Sequence, residues 1–130
     1  MADHNIEGHF RALVGIWEQD PWREFWEDVH LTVESFHNLS IPTYVSDIDL
    51  WLACQTRDII LLTANRNDEG VDSLEAAISR HNTPTSLPVF TLANPARFSH
   101  DRDYAVKVAA QLLEYLVDID RYRGVGRIYV

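Results

Sequence analysis

Acidic and amide side chains lie at three separate places in this chain, and an α/β fold would bring them to one crevice. Asp3 is near the start of the sequence, and Asp47 and Asp49 open a predicted helix. The third group follows an apolar run and consists of Asn65, Asn67, Asp68, Glu69 and Asp72. Gathered carboxylates repel one another unless a hard cation such as Mg²⁺ or Mn²⁺ neutralises them. A cation held in this way activates water and stabilises the charge on a phosphodiester that is being cut.

These residues also have purely structural explanations. A carboxylate in the first turn of a helix is stabilised by the helix dipole by about 0.3–1 kcal/mol, which accounts for Asp47 and Asp49. Asp72 fits a helix cap, and Asn65 and Asn67 fit a turn, since Asn tolerates left-handed backbone geometry. The pattern alone leaves open whether Asp47, Glu69 or Asp72 belongs to a site.

The elements that must position these side chains alternate between strands and helices. Apolar residues at helical spacing predict helices over 6–18, 22–29, 47–56, from 72 onwards, and 105–119. Ser46, with Asp49 three residues later, resembles a capping box. Apolar or alternating runs with β-branched residues predict strands at 1–3, 31–35, 59–63, 87–92 and 127–130.

Strands joined by helices in this order predict right-handed crossovers and an α/β fold. We expect a three-layer α/β/α sandwich with a mostly parallel sheet of about four to five strands. The length of 130 residues fits a single domain over 1–130. In such a sheet, ligands bind where the strands end, which is where Asp3 and Asn65 are expected.

Composition narrows the classes of function. The formal charge of −9 weakens any function that needs a broadly basic surface for nucleic acid, although 10 of the 11 basic residues are Arg, which suits local phosphate contacts. No apolar run approaches the ~20 residues of a membrane span, so we expect a cytoplasmic protein with no membrane partner. The lone Cys54 lies in an apolar segment and is expected to be a buried, inert thiol.

Other catalytic patterns are absent from the sequence. The six His residues are scattered, and no His-Glu-x-x-His, Walker or dinucleotide-binding glycine motif is present. Trp17 and Trp51 are expected in the core. Trp22, Phe25 and Trp26 lie three and four residues apart, which suits a small helical face used to form a homodimer.

Three short motifs resemble those of PIN-like proteins, particularly the compact group related to toxin ribonucleases. Residues 3–5, Asp-His-Asn, resemble the Asp-Glu-Asn opening of that group. Residues 49–53 are similar to its helical acidic motif, and residues 61–67 are similar to its strand that ends in Thr-x-Asp-x-Asp. The resemblance covers residues 1 to about 70, and the remaining β-α-β segment carries no signature.

The resemblance implies a PIN-like fold and Mg²⁺- or Mn²⁺-dependent cleavage of RNA, as in the toxin of a toxin–antitoxin pair, with an antitoxin-like protein as a partner. Asp3 and Asp49 would then be metal ligands. Asn65 and Asn67 would stand at the positions of later carboxylates, assisted by Asp68 as a ligand, and Arg66 would contact the phosphate. An Asn oxygen can ligate a hard cation, but the two amides remove two negative charges from the site.

Two other functions stay open at this point. The amide substitutions also suit a catalytically degenerate PIN-like module that binds a partner. A third hypothesis is a phosphotransfer or phosphatase-like domain that uses Asp3 as the acidic acceptor.

Overall fold

A small parallel sheet lies at the centre of the protein. The computed structural model describes residues 1–66, 70–71 and 73–130. Its strands are β1 (Leu62–Thr63), β2 (Val89–Thr91) and β3 (Arg127–Tyr129), arranged in the order β1-β2-β3 with both pairs parallel. The first residues extend this order, because Ala2 forms an isolated parallel bridge with Leu62 on the outer side of β1. The three strand ends therefore meet at one edge, as the sequence predicted for an α/β fold.

Six α-helices connect and cover the strands in the described part of the chain. They are α1 (Glu7–Trp17), α2 (Arg23–Asp28), α3 (Asp47–Thr56), α4 (Leu74–His81), α5 (Pro95–His100) and α6 (Arg102–Val117). Short 3₁₀ helices occur at His4–Ile6 and Ile119–Tyr122. Within the described ranges, none of the helices is long and apolar enough to span a membrane.

The two faces of the sheet carry separate apolar clusters, because successive strand residues point to opposite faces. Leu62 and Phe90 pack into the cluster of α1 and α6. Leu61 and Val89 pack into the other cluster, with α3 and α4. Helices thus lie on both sides of the sheet, and the residues of β1 and β2 between them are almost completely buried.

The helix starts follow ordinary capping chemistry. Ser46 accepts a hydrogen bond from the Asp49 amide at the start of α3, Ser73 accepts one from Ala76 at α4, and Asp101 accepts one from Tyr104 at α6. The hydrogen bond from the Tyr104 amide is the main reason why the pKa of Asp101 is lowered. Ser73 therefore caps α4 in the structure; Asp72, the expected cap, lies outside the described residues.

Some sequence predictions are wrong. Residues 31–35 are not a strand, and the sheet of the described residues has three strands rather than four or five. A five-residue strand needs an edge of similar length to pair with, but residues 1–3 form only one bridge there. Helix α5, which Asn94 caps and Pro95 begins, was not predicted from the sequence.

Two glycines shape the return of the chain into β3. Gly124 and Gly126 have φ values of +86° and +90°, which favour glycine. A Cβ at Gly126 would lie 3.1 Å from Cγ2 of Ile78 in α4. The chain can therefore approach α4 closely enough to bring Arg127 onto the α4 side of the sheet.

The structure predicts an unreactive thiol at Cys54, in α3. Its side chain is 1% exposed, and burial raises its pKa from 9.0 to about 11. Iodoacetamide at pH 8.5 should label the folded protein far more slowly than the urea-unfolded protein, since the thiolate is the reactive form. Equal labelling rates would show that the thiol is accessible.

The same shift predicts how stability depends on pH. The folded state holds the Cys54 proton more tightly than the unfolded state, so the protonated thiol adds to the free energy of unfolding. This contribution is present below pH 9 and is lost as the pH rises towards 11. Urea unfolding from pH 8 to pH 11 should show a steeper fall for the wild type than for Cys54→Ala.

Candidate functional site

Asp3 is held by hydrogen bonds at the carboxyl end of β1. Its backbone amide donates to the carbonyl oxygen of Leu62 at 2.8 Å, which fixes residue 3 beside the strand. Its Oδ1 accepts from the His4 amide at 2.7 Å, and its Oδ2 accepts from Oγ1 of Thr63 at 3.2 Å. Thr63 is 1% exposed, so the strand holds this hydroxyl beneath the carboxylate.

Asn65 continues the same hydrogen-bond network to a second carboxylate. The Asn65 amide N–H donates to Oγ1 of Thr63 at 2.9 Å. The Asn65 side-chain Nδ2 donates to Oδ2 of Asp47 at 2.9 Å. Residues Asp3, Thr63, Asn65 and Asp47 therefore form one connected set, which we call the Asp3–Asp47 network.

Arg127 supports this network from the side of α4. Its side chain is 8% exposed, and its Nη1 donates to the Asn65 carbonyl oxygen and to Oγ1 of Thr91, both at 2.8 Å. Its Nε donates to Oε2 of Glu75 in α4 at 3.1 Å, and its Nη2 lies 3.0 Å from the same oxygen. One guanidinium thereby links β3, β2, α4 and the segment that follows β1.

Arg66 lies next to Asn65 on the surface of the same edge. It donates to the carbonyl oxygen of Ala93, which follows β2. Its guanidinium carbon is 5.4 Å from the centre of the Tyr129 ring, and that of Arg127 is 5.9 Å from it. Tyr129 is 51% exposed, so a positive charge and an aromatic ring both reach solvent beside the network.

The structure brings together some of the predicted site residues. Asp3 and Asn65 belong to the Asp3–Asp47 network, and Arg66 is adjacent to it. Asn67 and Asp68, like Glu69 and Asp72, lie outside the described residues.

Asp47, and not Asp49, is the α3 residue in the network. With 3.6 residues per turn, two residues separated by two positions point about 200° apart around a helix. Asp47 therefore faces Asn65, whereas Asp49 is exposed and its backbone amide is capped by Ser46 at 3.2 Å. The sequence contains both acidic residues, and helix geometry alone indicates that only one of them can face the strand ends.

Thr63, Thr91 and Arg127 were missed as supporting residues. Thr63 ends a buried apolar run and Thr91 lies within another, and a buried hydroxyl must find a hydrogen-bond partner. That buried polar position was a usable signal. The place of Arg127 depends on the pairing of β3 with β2, which no local pattern gives.

The donor chemistry of the network suits a hard divalent cation. Its side chains offer oxygen atoms, and a carboxylate has lone pairs beyond those used in these hydrogen bonds. The described residues contain no group of three or more His, Cys, Asp and Glu side chains placed to hold a metal ion. Asp3 and Asp47 are thus the two charged members, and Asn65 and Thr63 are neutral ones.

Comparison of the chain with protein-family models, with curated proteins and with solved structures gives no match.

Removal of the Arg127 guanidinium should destabilise the site region. Arg127→Met leaves the buried Thr91 hydroxyl and the Asn65 carbonyl without this donor, so we expect a loss of about 1–3 kcal/mol in the free energy of unfolding. Glu75→Gln is the matched control, because Glu75 is half exposed and a solvated ion pair contributes about 0–1 kcal/mol. Urea denaturation measures both; an equal effect of the two changes would contradict this role for Arg127.

Proposed function

We propose that this protein is a PIN-like, divalent-cation-dependent endoribonuclease with its site at the Asp3–Asp47 network. The observation that carries the proposal is the placement of two carboxylates from distant parts of the sequence in one hydrogen-bonded set at the carboxyl end of β1. The parallel α/β architecture supports it, because ligand sites form at this edge of such sheets. The oxygen-only donor set favours Mg²⁺ or Mn²⁺ over softer metals.

In this proposal, each residue of the network has a distinct role. Asp3 and Asp47 would hold the cation, which would lower the pKa of a bound water and offset the phosphate charge. Thr63 fixes the orientation of the Asp3 carboxylate, and Asn65 fixes that of Asp47. Asn65 adds no charge, so the two carboxylates supply the attraction for the cation.

Arg66 would bind the phosphate of the RNA in this arrangement. It is exposed, close to Asn65, and its hydrogen bond with Ala93 uses only part of its donor capacity. A local positive charge such as that of Arg66 is needed because the chain has a formal charge of −9, which repels an RNA backbone at long range. Recognition would therefore depend on short-range contacts at this edge.

Single-site variants should distinguish the two carboxylates of the Asp3–Asp47 network from Asp49, which lies outside it. With labelled single-stranded RNA and Mn²⁺, Asp3→Asn and Asp47→Asn should each lower the cleavage rate by about 100-fold or more, since each removes a charged ligand. Asp49→Asn is the matched control in the same helix turn and should cleave at the wild-type rate. EDTA should abolish cleavage. Equal rates for all four proteins would show that a contaminating nuclease cuts the RNA and would defeat the proposal.

A second function, that of a catalytically degenerate binding module, is favoured by one feature of the network. The amide of Asn65 and the hydroxyl of Thr63 already donate to Asp47 and Asp3, so hydrogen bonds offset part of the need for a cation. In such a module the network would serve to fix the chain after β1 and to present Arg66 and Tyr129 to a partner.

The variant Asn65→Asp distinguishes these two functions. It replaces a hydrogen-bond donor by a third carboxylate beside Asp47, so the metal-free variant should melt at a lower temperature than the wild type. For a metal-dependent enzyme, Mn²⁺ should raise the melting temperature of the wild type and should raise that of Asn65→Asp further, because a ligand of the folded state stabilises it. If Mn²⁺ changes neither melting temperature, the binding module is supported and the nuclease is not.

A further inference from the structure

An apolar cavity of about 270 Å³ lies at the opposite end of β1 from the Asp3–Asp47 network. It is lined by residues 58–60, which precede β1, and by the face of the sheet that α1 and α6 cover. Most of its wall is aromatic or aliphatic, with contributions from Phe10, Trp17, Trp26, Phe90, Leu112 and Leu116. The cavity opens to solvent beside Leu31 and Val33, so it is an accessible apolar pocket and not a closed void.

The aromatic side of the cavity is held in a fixed arrangement. The rings of Trp17 and Trp26 are stacked with their centres 4.7 Å apart and their planes 25° apart. Nε1 of Trp17 donates to the carbonyl oxygen of Ala109 in α6 at 2.9 Å, which satisfies its buried polar atom. The cavity therefore has a fixed aromatic wall, in which Trp26 is half-buried and Trp17 lies behind it.

The opposite side is a segment of extended chain without secondary structure. Leu31 and Val33 line the cavity and are 40% and 42% exposed. Among the described residues, the backbone of 31–34 has no hydrogen-bond partner. This wall can yield to an entering molecule at lower cost than a helix or a paired strand.

The charges at the mouth of the cavity largely offset one another. Asp58 is paired with Arg123 at 3.2 Å, and Nη1 of Arg57 donates to the Leu39 carbonyl oxygen at 3.1 Å. Met1 and Glu34 also line the mouth, and the Glu34 carboxylate attracts the positive charge of the N-terminal ammonium group of Met1. With its charges balanced in this way and its interior apolar, the cavity favours a neutral ligand, since burial of an unpaired charge is costly.

We propose that this cavity is a binding site for a neutral, apolar compound of about the size of two fused aromatic rings. An apolar cavity of about 150 Å³ holds one benzene ring, so a volume of about 270 Å³ suits a bicyclic molecule. The stacked tryptophans provide a fixed aromatic wall, and the segment 31–34 provides the entrance. The site is separate from the Asp3–Asp47 network and does not depend on the function proposed for it.

Calorimetry with two related probes tests this inference. The wild-type protein should bind neutral naphthalene-methanol and should bind the naphthoate anion more weakly. In methyl NMR spectra, the neutral probe should shift the signals of Leu112 and Leu116, whereas that of Leu74, in the cluster on the other face, should stay in place. Absence of binding by the neutral probe, equal binding of both probes, or shifts confined to Leu74 would overturn the proposal.

A matched pair of variants locates the site. Leu112→Phe extends a lining side chain into the cavity and should weaken binding at least about tenfold, because an overfilled site rejects further atoms. Val117→Phe makes the same kind of change at a 58% exposed position of α6 and should bind like the wild type. Thermal melting shows that both variants are folded. Wild-type affinity in Leu112→Phe, or an equal loss in both variants, would overturn the assignment.

Discussion

The hydrogen bonds of one buried guanidinium determine how the strand ends are arranged. Arg127 lies in β3, and its Nη1 donates to the Thr91 hydroxyl of β2 and to the carbonyl oxygen of Asn65, which follows β1. Such a group is costly to bury unless it is paired; here Nε and Nη1 have hydrogen-bond partners, and Nη2 is held by the ion pair with Glu75. The carbonyl of Asn65 is thereby fixed, and its side chain is aimed at Asp47. The close approach that Gly126 allows beside Ile78 is part of the same arrangement.

The candidate site combines two carboxylates with two neutral hydrogen-bond donors. The balance between them decides whether the site binds a cation. Two carboxylates attract a cation, whereas the hydroxyl of Thr63 and the amide of Asn65 stabilise the same carboxylates through hydrogen bonds. An enzyme of this design must bind its cation with only two formal charges from the described residues. The affinity for metal is therefore the quantity on which the proposed function depends.

Local patterns predicted most of the fold, and non-local contacts account for what they missed. The helix before Pro21, the helix capped by Ser46 and the long helix near the carboxyl end are confirmed, because their spacing and caps are properties of neighbouring residues. Three features depend on contacts between residues that are 18 to 62 positions apart in the sequence. They are the order of the strands in the sheet, the position of Arg127, and the hydrogen bond between Asn65 and Asp47. Periodicity contains no information about such distances. Asp3 and Asn65 were expected at one edge because both follow predicted strands, and the structure places them in one hydrogen-bond network.

The segment 31–35, which was wrongly predicted to be a strand, contributes a wall of the apolar cavity. An extended segment joins a sheet only where an edge offers it unpaired amides and carbonyls over its length. Residues 1–3 form a single bridge at the outer side of β1, so they offer too short an edge for five residues. The segment therefore keeps its alternating apolar residues but lies away from the sheet, with Leu31 and Val33 lining the space beside Ile60. An extended segment that has no edge to pair with thus covers apolar residues of the sheet and of α1, and the space left beneath it is the cavity.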